Sequence, residues 1–263
     1  MKSARRVRIA IYIFLIFFFS LFLPCDPRLE SLVYGQISPS ALQVLFVGNS
    51  FTYGRDMPAL VEFLSMRTDR PIKAEMAVKG GVYLRWHVEQ EATRKRIAER
   101  EWDFVVLQDC SNCPLDYFPY FEAGVEEMVK YVRKTGNTPV LFMTWADRGH
   151  LNDQQKISQA YLDIGKRLNV EVVPVGIAWE RAQKQFPDIV LHDKDNHHAG
   201  DYGALLTAYV FIRFFGGNLQ HPFGKVRLPA RYLFHLILPE IKEYADSITA
   251  RKLWSIAEDV PLR

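Results

Sequence analysis

The chain has 263 residues, 49% of them apolar and 13% aromatic, enough to bury a core as one domain and too apolar for disorder. Its formal charge of +3 is carried by the N-terminus: setting aside the five basic and two acidic residues of 1–35 leaves equal numbers of each sign. A nucleic-acid partner therefore has no electrostatic footprint here.

Residues 1–35 read as an export leader. Lys2, Arg5, Arg6 and Arg8 precede an uncharged stretch, IAIYIFLIFFFSLFLP, over 9–24. A basic end that stays behind and an apolar segment that enters the bilayer are what translocation needs. The segment's length lies between a signal-peptide core and a full span, so cleavage (after Gly35, with Val33 three residues back) and retention as a membrane anchor both remain open. Either way the remainder faces outside the cytoplasm, as a periplasmic, secreted or anchored domain. Pro24 before Cys25 does not suit a lipid-attachment box.

From residue 42 onward, short β-rich runs alternate with amphipathic ones. Strands are expected at 42–47, 72–78, 104–107, 140–143 and 170–175, and helices at 58–67, 84–100, 121–134, 155–168, 179–185 and 202–215. Asp56 is the expected cap of the first helix, and 217–263 the expected C-terminal extension, loop-like at first and then helical. Five short strands alternating with helices predict parallel β-α-β units. The fold class is then a flavodoxin-like three-layer α/β/α sandwich, one domain over 36–263 with its core at 42–216. In such sheets ligands bind beyond the C-terminal strand ends.

Those ends carry Gly48-Asn49-Ser50 after the first strand and Gly80-Gly81 after the second. Gln108-Asp109 with Ser111 and Asn112 follows the third, and His192-Asp193-Lys194-Asp195-Asn196-His197-His198 lies further on. Acyl transfer needs a hydroxyl, a histidine to take its proton, a carboxylate to orient that histidine, and preorganised donors for the oxyanion. Ser50 supplies the hydroxyl and its own N–H, Gly81 an unshielded N–H, and Gln108, or else Asn112, a side-chain amide. Asp195 and His198 at i, i+3 can share one turn. Taken singly, each feature reads more readily as a turn, a cap or a solvated loop.

Cys110 and Cys113 form a lone C-x-x-C, either a local disulfide or two ordinary thiols. Trp86 and Trp145, with Asn49, are candidates for the pocket wall; a tryptophan closing the edge of the core is the equal alternative for each.

VLFVGNSFTY, the Gly-Gly, WDFVVLQD, TWA and DNHHAGDYGALLTAYVF, in that order, resemble the SGNH (GDSL-like) hydrolase superfamily, in particular a bacterial exported branch with GNSFT in its first block. The resemblance covers about 42–216 and implies cofactor-free, metal-free ester hydrolysis. Ser50 matches the nucleophile, Gly81 the oxyanion glycine, and Asp195 and His198 the D-x-x-H pair, with His197 a rival base that the spacing disfavours. Two blocks depart from the pattern: Gln108-Asp109 stands where Gly-x-Asn-Asp is usual, and Ala199-Gly200 where Pro-Ser is common. The implied substrate is an acyl ester, with a glycan O-acyl group favoured by export and by aromatics near the site, and a lipase or thioesterase substrate as the alternative. Two rivals remain. One is a metal-dependent hydrolase using the His- and Asp-rich loop; the other is a carbohydrate-binding module that has lost turnover.

Overall fold

The computed structural model describes residues 41–220, 222, 225–227 and 241–262. The expected leader over 1–35, with its apolar segment 9–24, lies outside them. Among the described residues no helix is long and apolar enough to cross a membrane.

Five strands, β1 (Leu42–Gly48), β2 (Ile72–Val78), β3 (Phe104–Leu107), β4 (Pro139–Phe142) and β5 (Glu171–Val173), form one sheet in the order β2-β1-β3-β4-β5. All four pairings are parallel. That is the flavodoxin-like order expected from the alternating pattern, and its direction of winding changes between β1 and β3.

Strand periodicity divides the core in two. Val44 and Phe46 of β1, Val106 of β3 and Val140 and Phe142 of β4 pack on one side. They meet α2 (Met57–Ser65), α8 (Val175–Gln185), α9 (Asp201–Phe214) and α10 (Ser247–Asp259). Leu45, Val47, Val105, Leu107 and Leu141 face the other way. There they meet α3 (Leu84–Glu89), α4 (Glu91–Ala98), α5 (Cys113–Asp116), α6 (Phe118–Lys134) and α7 (Gln154–Leu168). Apolar side chains on both faces of every central strand explain why those strands read as continuous apolar runs.

Three local expectations change. The helix expected over 84–100 is two helices, because Gln90 adopts an extended conformation between α3 and α4. Asp56 sits at the start of α2 but makes no side-chain cap; it and Arg55 both have left-handed backbones, at φ 56°. The segment after Gly216 contains a short antiparallel pair, β6 (Lys225–Arg227) with β7 (Ile241–Glu243), before α10.

Gly203 lets α9 press onto its neighbours. A Cβ there would run into the Leu191 carbonyl oxygen and the Trp179 ring. Gly203→Ala is therefore expected to cost about 1–3 kcal/mol, lowering the thermal midpoint by roughly 2–12 °C; a melting curve checks it.

Candidate active site

Ser50 opens α1 (Ser50–Tyr53), directly after β1. Asn49 caps this short helix, its side-chain oxygen accepting from Phe51 N at 3.0 Å, while its amide nitrogen donates to Val82 O at 3.0 Å. One asparagine thus shapes the turn that carries Ser50 and ties it to the Gly80–Gly81 loop. Ser50 N–H, at the first position of a helix, has no place in the intrahelical ladder and is left for a ligand.

The acid–base loop is closed by its own backbone. His192 bridges to Ala199, Asp193 N donates to His198 O at 2.8 Å, and Asn196 makes the bend with φ 60°. Within it, Asp195 Oδ1 accepts the backbone N–H groups of His197 and His198, each at 3.0 Å. Asp195 Oδ2 accepts from His198 Nδ1 at 2.6 Å, and Ser50 Oγ lies 2.8 Å from His198 Nε2. The hydrogen bond from His198, joined by the two amides, holds the Asp195 carboxyl well below the usual carboxylate range. With Nδ1–H committed to a carboxylate, the lone pair at Nε2 points at the serine hydroxyl, the arrangement that makes an alcohol nucleophilic.

A cleft of about 300 Å³ opens beside this contact, lined among others by Asn49, Ser50, Gly81, Asn112, Tyr117 and His197. Gly81 has φ 69°, a conformation glycine adopts without cost. A larger hollow of about 450 Å³ around Gln154 and Lys184 has no serine, threonine, cysteine or histidine in its lining.

Gln108 is not an oxyanion donor. It is buried, and its Oε1 accepts from Asn49 N at 2.9 Å and from Thr52 Oγ1 at 2.8 Å, while its amide nitrogen donates to the Asp109 carbonyl. The amide facing the cleft is Asn112, the alternative; one of its N–H groups goes to Asp147 Oδ2 at 3.2 Å, leaving the second.

Neither tryptophan lines the cleft. Trp145 is buried, stacked between Phe51 at 4.5 Å and Trp179 at 4.0 Å, and its Nε1 donates to His197 O at 3.0 Å. It anchors the acid–base loop to the core. Trp86 lies on α3, edge-on to His87 at 5.0 Å. The aromatics that do line the cleft are Phe51, Tyr83 and Tyr117, the two tyrosines being about half exposed.

Sequence reasoning missed Arg55 and the backbone contact of His87. His87 is buried, which lowers its pKa; its Nε2–H donates to Gly48 O at 2.9 Å, and its Nδ1 accepts from Thr93 Oγ1 at 3.0 Å. Arg55 pairs with Asp193 at 2.6 Å, joining the end of the nucleophile's segment to the acid–base loop. Neither has a motif, since Arg55 is defined by Asp193 and His87 by the Gly48 carbonyl, both distant in the chain.

The rival ligand set for a metal is dispersed. His192 Nε2 faces Ala146 O at 2.9 Å, His197 Nδ1 faces Asp147 at 2.6 Å, and His198 lies between Asp195 and Ser50. Among the described residues the potential ligands that gather are Asp109, Cys110 and Cys113, and the two sulfurs are joined in a disulfide. A thiolate site would need both sulfurs free.

No protein-family model and no curated protein sequence matches the chain. Solved structures do. One classed as an SGNH hydrolase from Slackia heliotrinireducens superposes with a TM-score of 0.57 at 21% identity, over 66% of this chain and 98% of that one. The fold is that of the SGNH hydrolases. A DUF4886 family protein from Bacteroides uniformis superposes with a TM-score of 0.58 at 17% identity, over 83% of this chain and 94% of that one. LAE5, an alpha/beta hydrolase enzyme from the metagenome of Lake Arreo, gives 0.54 at 17% identity, over 67% and 96%. In the SGNH fold as this chain builds it, Ser50, Gly81 and the Asn112 segment all stand at the C-terminal edge around the β1–β3 switch point.

Asp109 is buried beneath this edge. Its Oδ1 accepts from Leu84 N at 2.8 Å and Cys110 N at 2.7 Å, and burial, only partly offset by those bonds, pushes its carboxyl up to about 6. The folded form thus keeps this proton to higher pH than the unfolded chain does. The favourable contribution is complete below about pH 4 and is lost as pH rises through about 6, a change of about 3 kcal/mol. Asp109→Asn, which keeps the acceptor and removes the ionisation, should gain stability relative to the parent by up to that amount between pH 4 and 7. Denaturant unfolding of both proteins across that range checks it.

Proposed function

We propose that the protein is an exported serine esterase that hydrolyses carboxylic esters with short acyl groups, by a Ser50–His198–Asp195 mechanism. The observation that carries this reading is the 2.8 Å contact between Ser50 Oγ and His198 Nε2, with the Asp195 carboxylate behind the same imidazole.

In that mechanism Ser50 Oγ attacks the ester carbonyl as its proton passes to His198 Nε2. The tetrahedral oxyanion is met by the N–H groups of Ser50 and Gly81 and by the second N–H of Asn112. Collapse expels the alcohol, which takes the proton back from His198 and leaves an acyl group on Ser50. Water then repeats the sequence, with His198 again as base, and frees the acid. Donors of this kind are each worth on the order of 3 kcal/mol of barrier.

The size of the cleft, at about 300 Å³ near the lower end for a ligand site, supports a short acyl chain over a lipid one. Two half-exposed tyrosines at its mouth, with ring centroids 6.5 Å apart, suit the face of a sugar and support a glycan O-acyl substrate. Export rests on the basic and apolar segments of 1–35.

Ser50→Ala and His198→Ala are each expected to lower kcat/KM for 4-nitrophenyl acetate on the order of 10³-fold or more. Ser50→Ala should also abolish labelling by a fluorophosphonate, while His197→Ala gives a smaller loss than His198→Ala. Full activity in Ser50→Ala would sink the mechanism. Parallel assays over acyl length should show activity falling from acetate to octanoate.

A further inference from the structure

A second histidine–carboxylate pair stands in the wall of the same cleft, and the acyl-transfer steps make no use of it. Asp147 Oδ1 accepts from His197 Nδ1 at 2.6 Å, and Asp147 Oδ2 accepts from Asn112 Nδ2 at 3.2 Å. A carboxylate at Nδ1 fixes the neutral ring's proton there and leaves the lone pair at Nε2. That Nε2 has no partner among the described residues, and the side chain is 36% exposed and lines the cleft with Ser50. The ring cannot swing freely, since it packs edge-on against Phe51 and His198, each at 4.8 Å between centroids. Bracing the loop needs only Nδ1; a rigid acceptor left open at the other end of the ring, next to the base, has a different use.

The chemistry of the neighbouring base says what would meet it. His198 Nε2–H must protonate the departing alcohol oxygen, so that oxygen lies at His198 in the collapse step. The rest of the alcohol extends from there into the cleft, where the wall beside His198 is His197. A neutral imidazole nitrogen accepts from a hydroxyl and gains nothing from an ether or a hydrocarbon.

We propose that His197, held by Asp147, accepts a hydrogen bond from a free hydroxyl on the carbon next to the esterified one, which selects partial esters of polyols or sugars. This rests on the esterase reading and deepens it. His197 binds substrate and takes no part in making or breaking bonds.

The test compares ethylene glycol monoacetate with 2-methoxyethyl acetate, which carry the same acyl group and differ in whether that oxygen bears a hydrogen or a methyl. The parent is expected to favour the free hydroxyl about tenfold in kcat/KM, mostly through KM. His197→Phe should bring the ratio near one, and His197→Gln, whose amide oxygen is also an acceptor, should restore part of it. Because each ratio is taken within one protein, a general loss of activity cancels, and the parent's own ratio needs no variant. A parent ratio near one, or an undiminished ratio in His197→Phe, overturns the proposal. Failure of the esterase reading looks different: both esters go unhydrolysed, or Ser50→Ala hydrolyses both as the parent does, and this proposal falls with it.

Discussion

The turn that lifts Ser50 out of β1 is held from below by the buried carbonyl of Gln108, which accepts the Asn49 backbone N–H and the Thr52 hydroxyl. An amide left unpaired at that depth would cost about 1–3 kcal/mol, enough to favour another path for the chain. The same device recurs around the site. His87 donates to the Gly48 carbonyl, and Asp109 accepts from Leu84 and Cys110. Buried polar side chains from β3 and α3 thus take up the backbone groups freed where strands end. The reactive atoms above them remain free to face the cleft.

This division explains what the sequence could and could not disclose. The five strands were legible because burial on both faces makes them unbroken apolar runs; Ser50, Asp195 and His198 were marked out by residue type and order along the chain, and the structure brings their side chains together. Gln108 was misread because a glutamine at a strand end looks the same in sequence whether its amide faces the ligand or the core. Its direction depends on Asn49, 59 residues away. Trp145 stayed open between pocket wall and core for a similar reason: its stack with Phe51 and Trp179 joins three separate segments. The break at Gln90 was hidden because the apolar spacing continues on both sides of it, with Leu84 and Ile97 buried in one cluster.

The loop with three histidines shows how little residue type alone decides. His192 is buried against the Ala146 carbonyl, which leaves it a packing role. His197 and His198 each have a carboxylate at Nδ1, yet only His198 reaches Ser50. One short loop thereby provides a strut, an open acceptor and the partner of the Ser50 hydroxyl. The difference among them is set by what lies opposite each ring.

The face-to-face indoles of Trp145 and Trp179, with centroids 4.0 Å apart and planes 4° from parallel, have an optical consequence. Indoles stacked this closely share their excitations, so the pair absorbs and emits differently from two separate tryptophans. One member of that pair holds the His197 carbonyl. The molecule therefore carries, without any label, a chromophore whose intrinsic fluorescence responds to whether the 192–199 loop is seated.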